Sequence, residues 1–371
     1  MIPRVQSVLE ATGSWLLRRS QISLLLILLV ILVLKVGIAW ETYNIETFFI
    51  PASQALPTPV DWYSASVGHL AIPRLLGINS LQTWVALYAL LVLIVLASTA
   101  FLGTRMRGVP AGAMLLFVVS TTGVATTLVT LGKYDALTLF GAILIGLGRS
   151  RAMAFFGSLV MSLGNPEQAV VAAAALLLVS FAEELRSWRP RALIALITST
   201  TSWAVIQVWM LSSGVWGSRL SLLSVWIQDS LDRVLRSPLN ELWSWFGVTW
   251  IVVFAVLIAV GRRSRVMVFL GLVVVPGLVT VITADGARVF GLVSLPALLA
   301  VAIFAWRSLP NSELTRSRVI GGYLLAWVAV PILVANWSLF QGLGSDVVAR
   351  VVGPITFWYD ALWYYLVSSR L

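Results

Sequence analysis

The chain is 371 residues long, 59% hydrophobic and only 11% charged, with a mean hydropathy of +0.95. A water-soluble protein of this size needs far more polar surface, so the composition excludes that class and implies a polytopic protein of the lipid bilayer. The net charge of +10 does not signal nucleic acid: sixteen of the 25 basic residues lie in alternate breaks between apolar runs, beside only four acids, Glu10, Glu183, Glu184 and Glu313. Cysteine is absent, which removes disulfides, thiol nucleophiles and thiolate metal ligands.

Residues 1–19 carry Arg4, Arg18 and Arg19 on a short amphipathic stretch that is expected to lie on the membrane interface. The first apolar run, 22–40, is read as a retained span, and Lys35 within it is expected to snorkel to the outer headgroups. Loop 41–80 is divided by Pro51, Pro57, Pro59 and Pro73. Runs 81–102 and 111–131 give the second and third spans. The turn Gly132-Lys133-Tyr134-Asp135 then opens two short runs, 136–147 and 152–163. These fall below the ~20 residues that cross a bilayer and are expected to tilt or to pack among neighbours.

Asn165-Pro166-Glu167-Gln168 leads into the sixth run, which ends at Glu183-Glu184, and 192–211 is the seventh. Segment 212–244 places Leu220, Leu223, Ile227, Leu231 and Val234 at helical spacing between charges, the pattern of an amphipathic helix on the outer leaflet. Four further runs, 246–260, 266–282, 289–306 and 319–339, bring the total to about eleven. Their centres are read as nearly pure Leu, Val and Ala, broken by Pro276, Pro296 and Pro331. The tail, 341–371, holds Phe357-Trp358-Tyr359 and Trp363-Tyr364-Tyr365, which read as an external aromatic belt.

Arginines cluster at every second break (Arg105/Arg107, Arg149/Arg151, Arg186/Arg189/Arg191, Arg262/Arg263/Arg265, Arg307/Arg316/Arg318), and acids occupy the others. Because clustered Lys and Arg mark the cytoplasmic side, the expected topology is N-terminus in and C-terminus out. The whole chain is then one all-α transmembrane domain of the plasma or inner membrane, its acidic face toward the exterior or periplasm.

That face gathers the groups able to do chemistry: Glu41, Glu46, Asp61, Tyr63 and His69 in the first loop, Lys133 and Asp135 in the tight turn, then Glu167, Asp285 and Arg288. Ionisable groups at membrane depth are costly and tend to be functional. Asp285 and Arg288, three apart, either pair with each other or leave the guanidinium to grip a phosphate. An enzyme acting on a lipid-linked substrate concentrates its charges in such loops. A transporter instead carries polar or broken helices near the midplane.

This arrangement resembles the GT-C superfamily of polyprenyl-phosphate-sugar-dependent glycosyltransferases. The likeness covers most of the chain: a cytoplasmic N-terminus, a long acidic loop after the first span (Trp40-Glu41-Thr42-Tyr43-Asn44-Ile45-Glu46), the segment Tyr63 to Leu70, the Lys133-Tyr134-Asp135 turn and Asn165-Pro166-Glu167-Gln168. The resemblance implies a polyprenyl-phosphate-sugar donor, a glycan or glycolipid acceptor, and inversion at the sugar. It implies a first-loop carboxylate as base, Glu46 ahead of Glu41 and Asp61, although that family more often has Asp there. Lys133 and Arg288 would hold the donor phosphate, beside Asp135 and Asp285, with His69, Tyr63 and Glu167 near the acceptor. No cofactor is required, and the carboxylates leave room for a divalent cation. A membrane polysaccharide polymerase and a lipid-linked glycan transporter or flippase are the alternatives.

Overall fold

In the computed structural model, which describes residues 2–215, 223–236, 238–281, 283 and 285–330, the chain is helical throughout, with no strand among those residues. Helices α1 (Ile2–Arg18) and α2 (Gln21–Val36) meet at Ser20, which caps α2 by accepting from the Ser23 amide at 3.3 Å. After α2 come α3 (Thr42–Asn44), a π-helical turn (Ile45–Phe49), α4 (Ile50–Ala55) and α5 (Val67–Leu75). The long α6 (Leu81–Leu102) precedes α7 (Ala111–Val119) and α8 (Thr122–Val129). Three short helices follow, α9 (Asp135–Leu147), α10 (Arg151–Gly164) and α11 (Pro166–Val179), and then α12 (Arg189–Ser212). The rest comprises α13 (Leu223–Arg236), α14 (Pro238–Phe246), α15 (Trp250–Ala259), α16 (Arg262–Phe269), α17 (Val275–Val281), α18 (Gly286–Ser308) and α19 (Glu313–Ala329). Ser80, Ser150, Asn165 and Ser312 each accept the amide three residues on, starting α6, α10, α11 and α19 where the sequence turns apolar.

Each apolar run expected from the sequence does form helix within the described residues. Among the described residues five continuous helical stretches, Leu81–Arg107, Glu183–Ser212, Glu241–Ala259, Arg262–Val281 and Gly286–Ser308, are long and apolar enough to cross a membrane, or six if the bent pair α7 and α8 is one span. The shorter runs fall below that length: α9 has 13 residues and α10 and α11 have 14 each, about 20 Å of rise against a ~30 Å hydrocarbon core. Helix α18 sits at the centre. The inner part of α18 is 83% buried, whereas the other four long apolar helices reach only 28–44%. It is surrounded by α8, α9, α11, α15 and α17, and Pro296 leaves it unbroken. Two close approaches permit this packing. A Cβ at Gly123 of α8 would lie 2.8 Å from the Gly291 carbonyl oxygen, and one at Gly157 of α10 would lie 2.9 Å from that of Gly141 in α9. Small residues bring membrane helices into backbone contact in this way.

Three expectations change. The run 111–131 is not one straight helix but bends by 61° between α7 and α8. Its centre is polar, with Ser120, Thr121, Thr122, Thr126 and Thr127 all buried. Ser120 and Thr121 bond the carbonyls of Phe117 and Val118 three residues back, and Ser120 also meets the Tyr323 hydroxyl at 2.7 Å, so hydroxyls stand in where the ladder breaks. Lys35 does not reach for headgroups. Its ammonium donates to the carbonyls of Val328 and Val330 at 3.0 and 2.9 Å, taking up acceptors that α19 leaves unpaired at its end. Residues 2–18 form the expected helix, but it lies lengthwise on α19, through Arg18–Glu313 at 3.0 Å, Ser14–Ser317 at 3.0 Å and Arg318–Glu10 at 2.5 Å. The amphipathic pattern of 212–244 is carried by α13 and α14. Pro331 and the aromatic tail lie outside the described residues.

Candidate functional site

The acids and cations of alternate breaks meet at one end of the bundle, and backbone contacts bring them there. After Gly37, which takes a positive φ of 79° at the end of α2, the chain runs alongside the end of α8. Ala39 donates to the Leu128 carbonyl at 3.1 Å and accepts from the Leu131 amide at 2.8 Å. The indole of Trp84 donates to the Gly132 carbonyl at 2.9 Å. Gly132 takes a φ of 91°, which turns the chain sharply enough to present Lys133 and Asp135 in succession. A Cβ there would collide with Ile45, 2.6 Å away, so the π-helical turn carrying Glu46 is seated on this glycine.

Two ion-pair clusters result. In the first, Lys133 bonds Glu41 at 2.5 Å, and Asn44 donates to the same carboxylate. In the second, Asp135 is fully buried in the first turn of α9, where the helix N-terminus favours a negative charge. Thr130 donates to Asp135 at 2.8 Å, and Arg288 grips it through Nε at 2.6 Å and Nη2 at 3.1 Å. The remaining Arg288 terminus, Nη1, bonds Asp285, and the guanidinium lies 5.1 Å over the Tyr134 ring. Arg288 is therefore committed to two carboxylates and is 4% exposed. Of the two readings of Arg288 stated from the sequence, the pairing with Asp285 is present. The chief partner of the guanidinium is nevertheless Asp135 in α9.

The other sequence candidates separate. Glu46 is exposed and makes no hydrogen bond or ion pair within the described residues. Asp61 accepts the amides of Tyr63 and Ser64 at 2.9 and 3.3 Å and so caps a short 3-10 helix, Trp62–Ala65. His69 is fully buried in a box of rings, with Phe49, Tyr88, Trp84 and Tyr134 at 4.7, 4.8, 5.3 and 6.0 Å. An acceptor at the surface does not reach it. Tyr63 stacks on Trp62 and Phe48 at 3.6 and 5.0 Å and carries that box toward the surface. Glu167 stands in the first turn of α11, beside the Asn165 cap. Thr130, Asn44 and Trp84 were not candidates from the sequence. The one usable signal was Thr130, close enough to Asp135 for a turn to bring them together.

Among the described residues no group of three or more His, Asp or Glu converges as metal ligands do. An apolar cleft of about 490 Å³ lies elsewhere, between α7, α15, α18 and α19, lined by Met114, Phe117, Val256, Ala302 and Ile320, with none of the site's charged residues on its walls. No family model matches the chain, and neither a curated protein nor a solved structure is detectably similar to it.

Proposed function

We propose that this protein is an inverting membrane glycosyltransferase of the GT-C type. It moves a sugar from a polyprenyl-phosphate donor to a cell-envelope glycan or glycolipid at the acid-rich end of the bundle. One observation carries the reading: Glu46, an exposed carboxylate with no partner among the described residues, rides on a turn seated directly on the glycine before Lys133. An uncommitted carboxylate on a turn packed against the loop that carries a cation suits deprotonation of a hydroxyl next to a departing phosphate. Glu46 takes the acceptor proton as the acceptor oxygen bonds the anomeric carbon. The bond from that carbon to the phosphate oxygen breaks, its electron pair leaving on the lipid phosphate. Lys133 stays charged, donates one of its three N–H groups to Glu41 and offers the others to that phosphate. Arg288 is a positioning residue, since it fixes Asp135 and with it the turn that carries Lys133.

In this reading all eleven apolar runs cross or line the bilayer, with the arginine-rich end in the cytoplasm. The short helices α9 to α11 sit against α18, where the membrane is thinned. The bend between α7 and α8 favours a second reading, a transporter, because discontinuous helices commonly form transport sites. Against it, Thr126 and Thr127 bond carbonyls of their own helix, and the glycine contact with α18 closes the space beside the bend.

The deciding measurement is transfer of a radiolabelled sugar from lipid donor to acceptor by the purified protein. Glu46→Gln should lower turnover by about 10²–10⁴-fold, the size of a general-base contribution, and leave donor binding measurable. Unchanged turnover in that variant sinks the assignment of the base. Turnover unchanged also in Glu41→Gln and Asp61→Asn moves the protein to the transport reading.

A further inference from the structure

The opposite end of the bundle holds a second concentration of charge, of one sign. Arg107, at the end of the π-helical turn that extends α6, and Arg191, in the first turn of α12, are each 7% exposed. Both guanidiniums lie against the ring of Trp188, at 4.0 and 4.1 Å. Arg107 donates through Nε to the Leu147 carbonyl at 2.8 Å and also reaches Gly148, while Arg191 donates to Gly148 at 2.5 Å. Arg307, at the end of α18, bonds the Arg107 carbonyl at 3.2 Å. Arg149 follows Gly148 directly, and both Arg149 and Arg307 are exposed. Arg149, Arg191 and Arg307 all act electrostatically on Arg107.

Four guanidiniums packed this closely repel one another. Among the described residues none of the four forms an ion pair. The C-terminus of α9 offsets only about half a unit of charge. The ring of Trp188 holds the two inner groups by cation–π attraction and prevents them from swinging apart into solvent. Arg107 Nη1 and Arg191 Nη2 make no hydrogen bond among the described residues and are not fully enclosed, so donors remain available.

We propose that Arg107, Arg149, Arg191 and Arg307 form a phosphate-binding site at the arginine-rich end, taking the phosphate of an anionic lipid headgroup or free phosphate. Guanidinium forks match phosphate oxygens two at a time, which a lysine cluster does not do. The inner pair fixes the floor of the site on α9, and the outer pair closes over the anion from the loops after α9 and α18. The site is independent of the transferase reading, because it shares no residue with the acid-rich end.

The test uses the full-length protein in non-ionic detergent and the double variant Arg149→Gln/Arg307→Gln, which removes none of the bonds that the inner pair makes to α9. Phosphatidylglycerol is titrated and counted by native mass spectrometry, and inorganic phosphate is titrated with melting temperature as the readout. The variant should bind the effective ligand about ten- to a hundredfold more weakly, as loss of charged hydrogen bonds implies. Its melting temperature without ligand should not fall by more than the loss of the one Arg307–Arg107 carbonyl bond, because two mutually repelling charges are removed with it. If the double variant is unstable, the two single variants are compared in the same way. Loss confined to phosphatidylglycerol identifies a lipid headgroup, and equal loss with inorganic phosphate identifies a free-phosphate site. Equal binding of both ligands by variant and wild type, or no binding by the wild type, overturns the proposal and leaves the cluster as a clamp on the end of α9.

Discussion

Arg288 holds Asp135 in a fork and Asp285 by its last terminus, with its guanidinium 5.1 Å over the Tyr134 ring. Removing one partner of such a buried group leaves the other charge uncompensated, which costs about 3–5 kcal/mol. Arg288→Ala should therefore destabilise the protein by that amount in thermal or denaturant unfolding, before any effect on a substrate is considered. Adding Asp135→Ala should restore part of the loss, giving a coupling of about 1–3 kcal/mol in a double-mutant cycle. Additive losses would show that the fork contributes nothing as a pair. Much of this was legible in the sequence at the level of which residues matter: Glu41, Lys133, Asp135, Asp285 and Arg288 all stand in the acid-bearing breaks. The pairing was not. Arg288 and Asp135 are 153 positions apart, and local spacing favoured the neighbour Asp285, three residues away. His69 shows the same limit from the other side, since a histidine in a polar loop gives no sign that four rings will converge on it.

At the scale of elements, the apolar runs located the helices, and serine or asparagine caps stand where several of them begin. The bend between α7 and α8 was missed because Ser120-Thr121-Thr122 sits inside an otherwise apolar run, and hydropathy averages over it. Helix contacts were likewise unreadable, as glycines meet in pairs that only the packing defines. Gly123 against Gly291 joins the bent helix to the central one. Gly291→Ala should force these backbones apart and cost about 1–3 kcal/mol, the usual price of overpacking, read as a lower melting temperature. Gly322→Ala, where a Cβ meets nothing within 4 Å, should be near neutral in the same assay. If the two substitutions behave alike, the close approach is not what fixes α8.

For the whole molecule, the alternation of arginine and acid along the sequence becomes two separate ends in space. Arg107, Arg191 and Arg307 converge at one, while Glu41, Lys133, Asp135 and Arg288 converge at the other. The chain lacks cysteine, so single cysteines can report the side of each end. A cysteine at Ser150 or Ser308, both exposed at the arginine-rich end, should resist a membrane-impermeant maleimide in intact cells. One at Ser213, exposed at the far end of α12, should react. Labelling at Ser308 with protection at Ser213 would invert the orientation and put the carboxylates in the cytoplasm.

The central position of α18 has a consequence for how the protein is made. Asp135 emerges from the ribosome long before Arg288 does, and it starts a helix too short to span a bilayer unaided. Until α18 arrives, that carboxylate lacks its fork of donors, and α9 and α11 lack the helix against which they pack. The packing of α9 and α11 is therefore completed only once α18 has been made, so the core of the bundle is closed by a late segment of the chain.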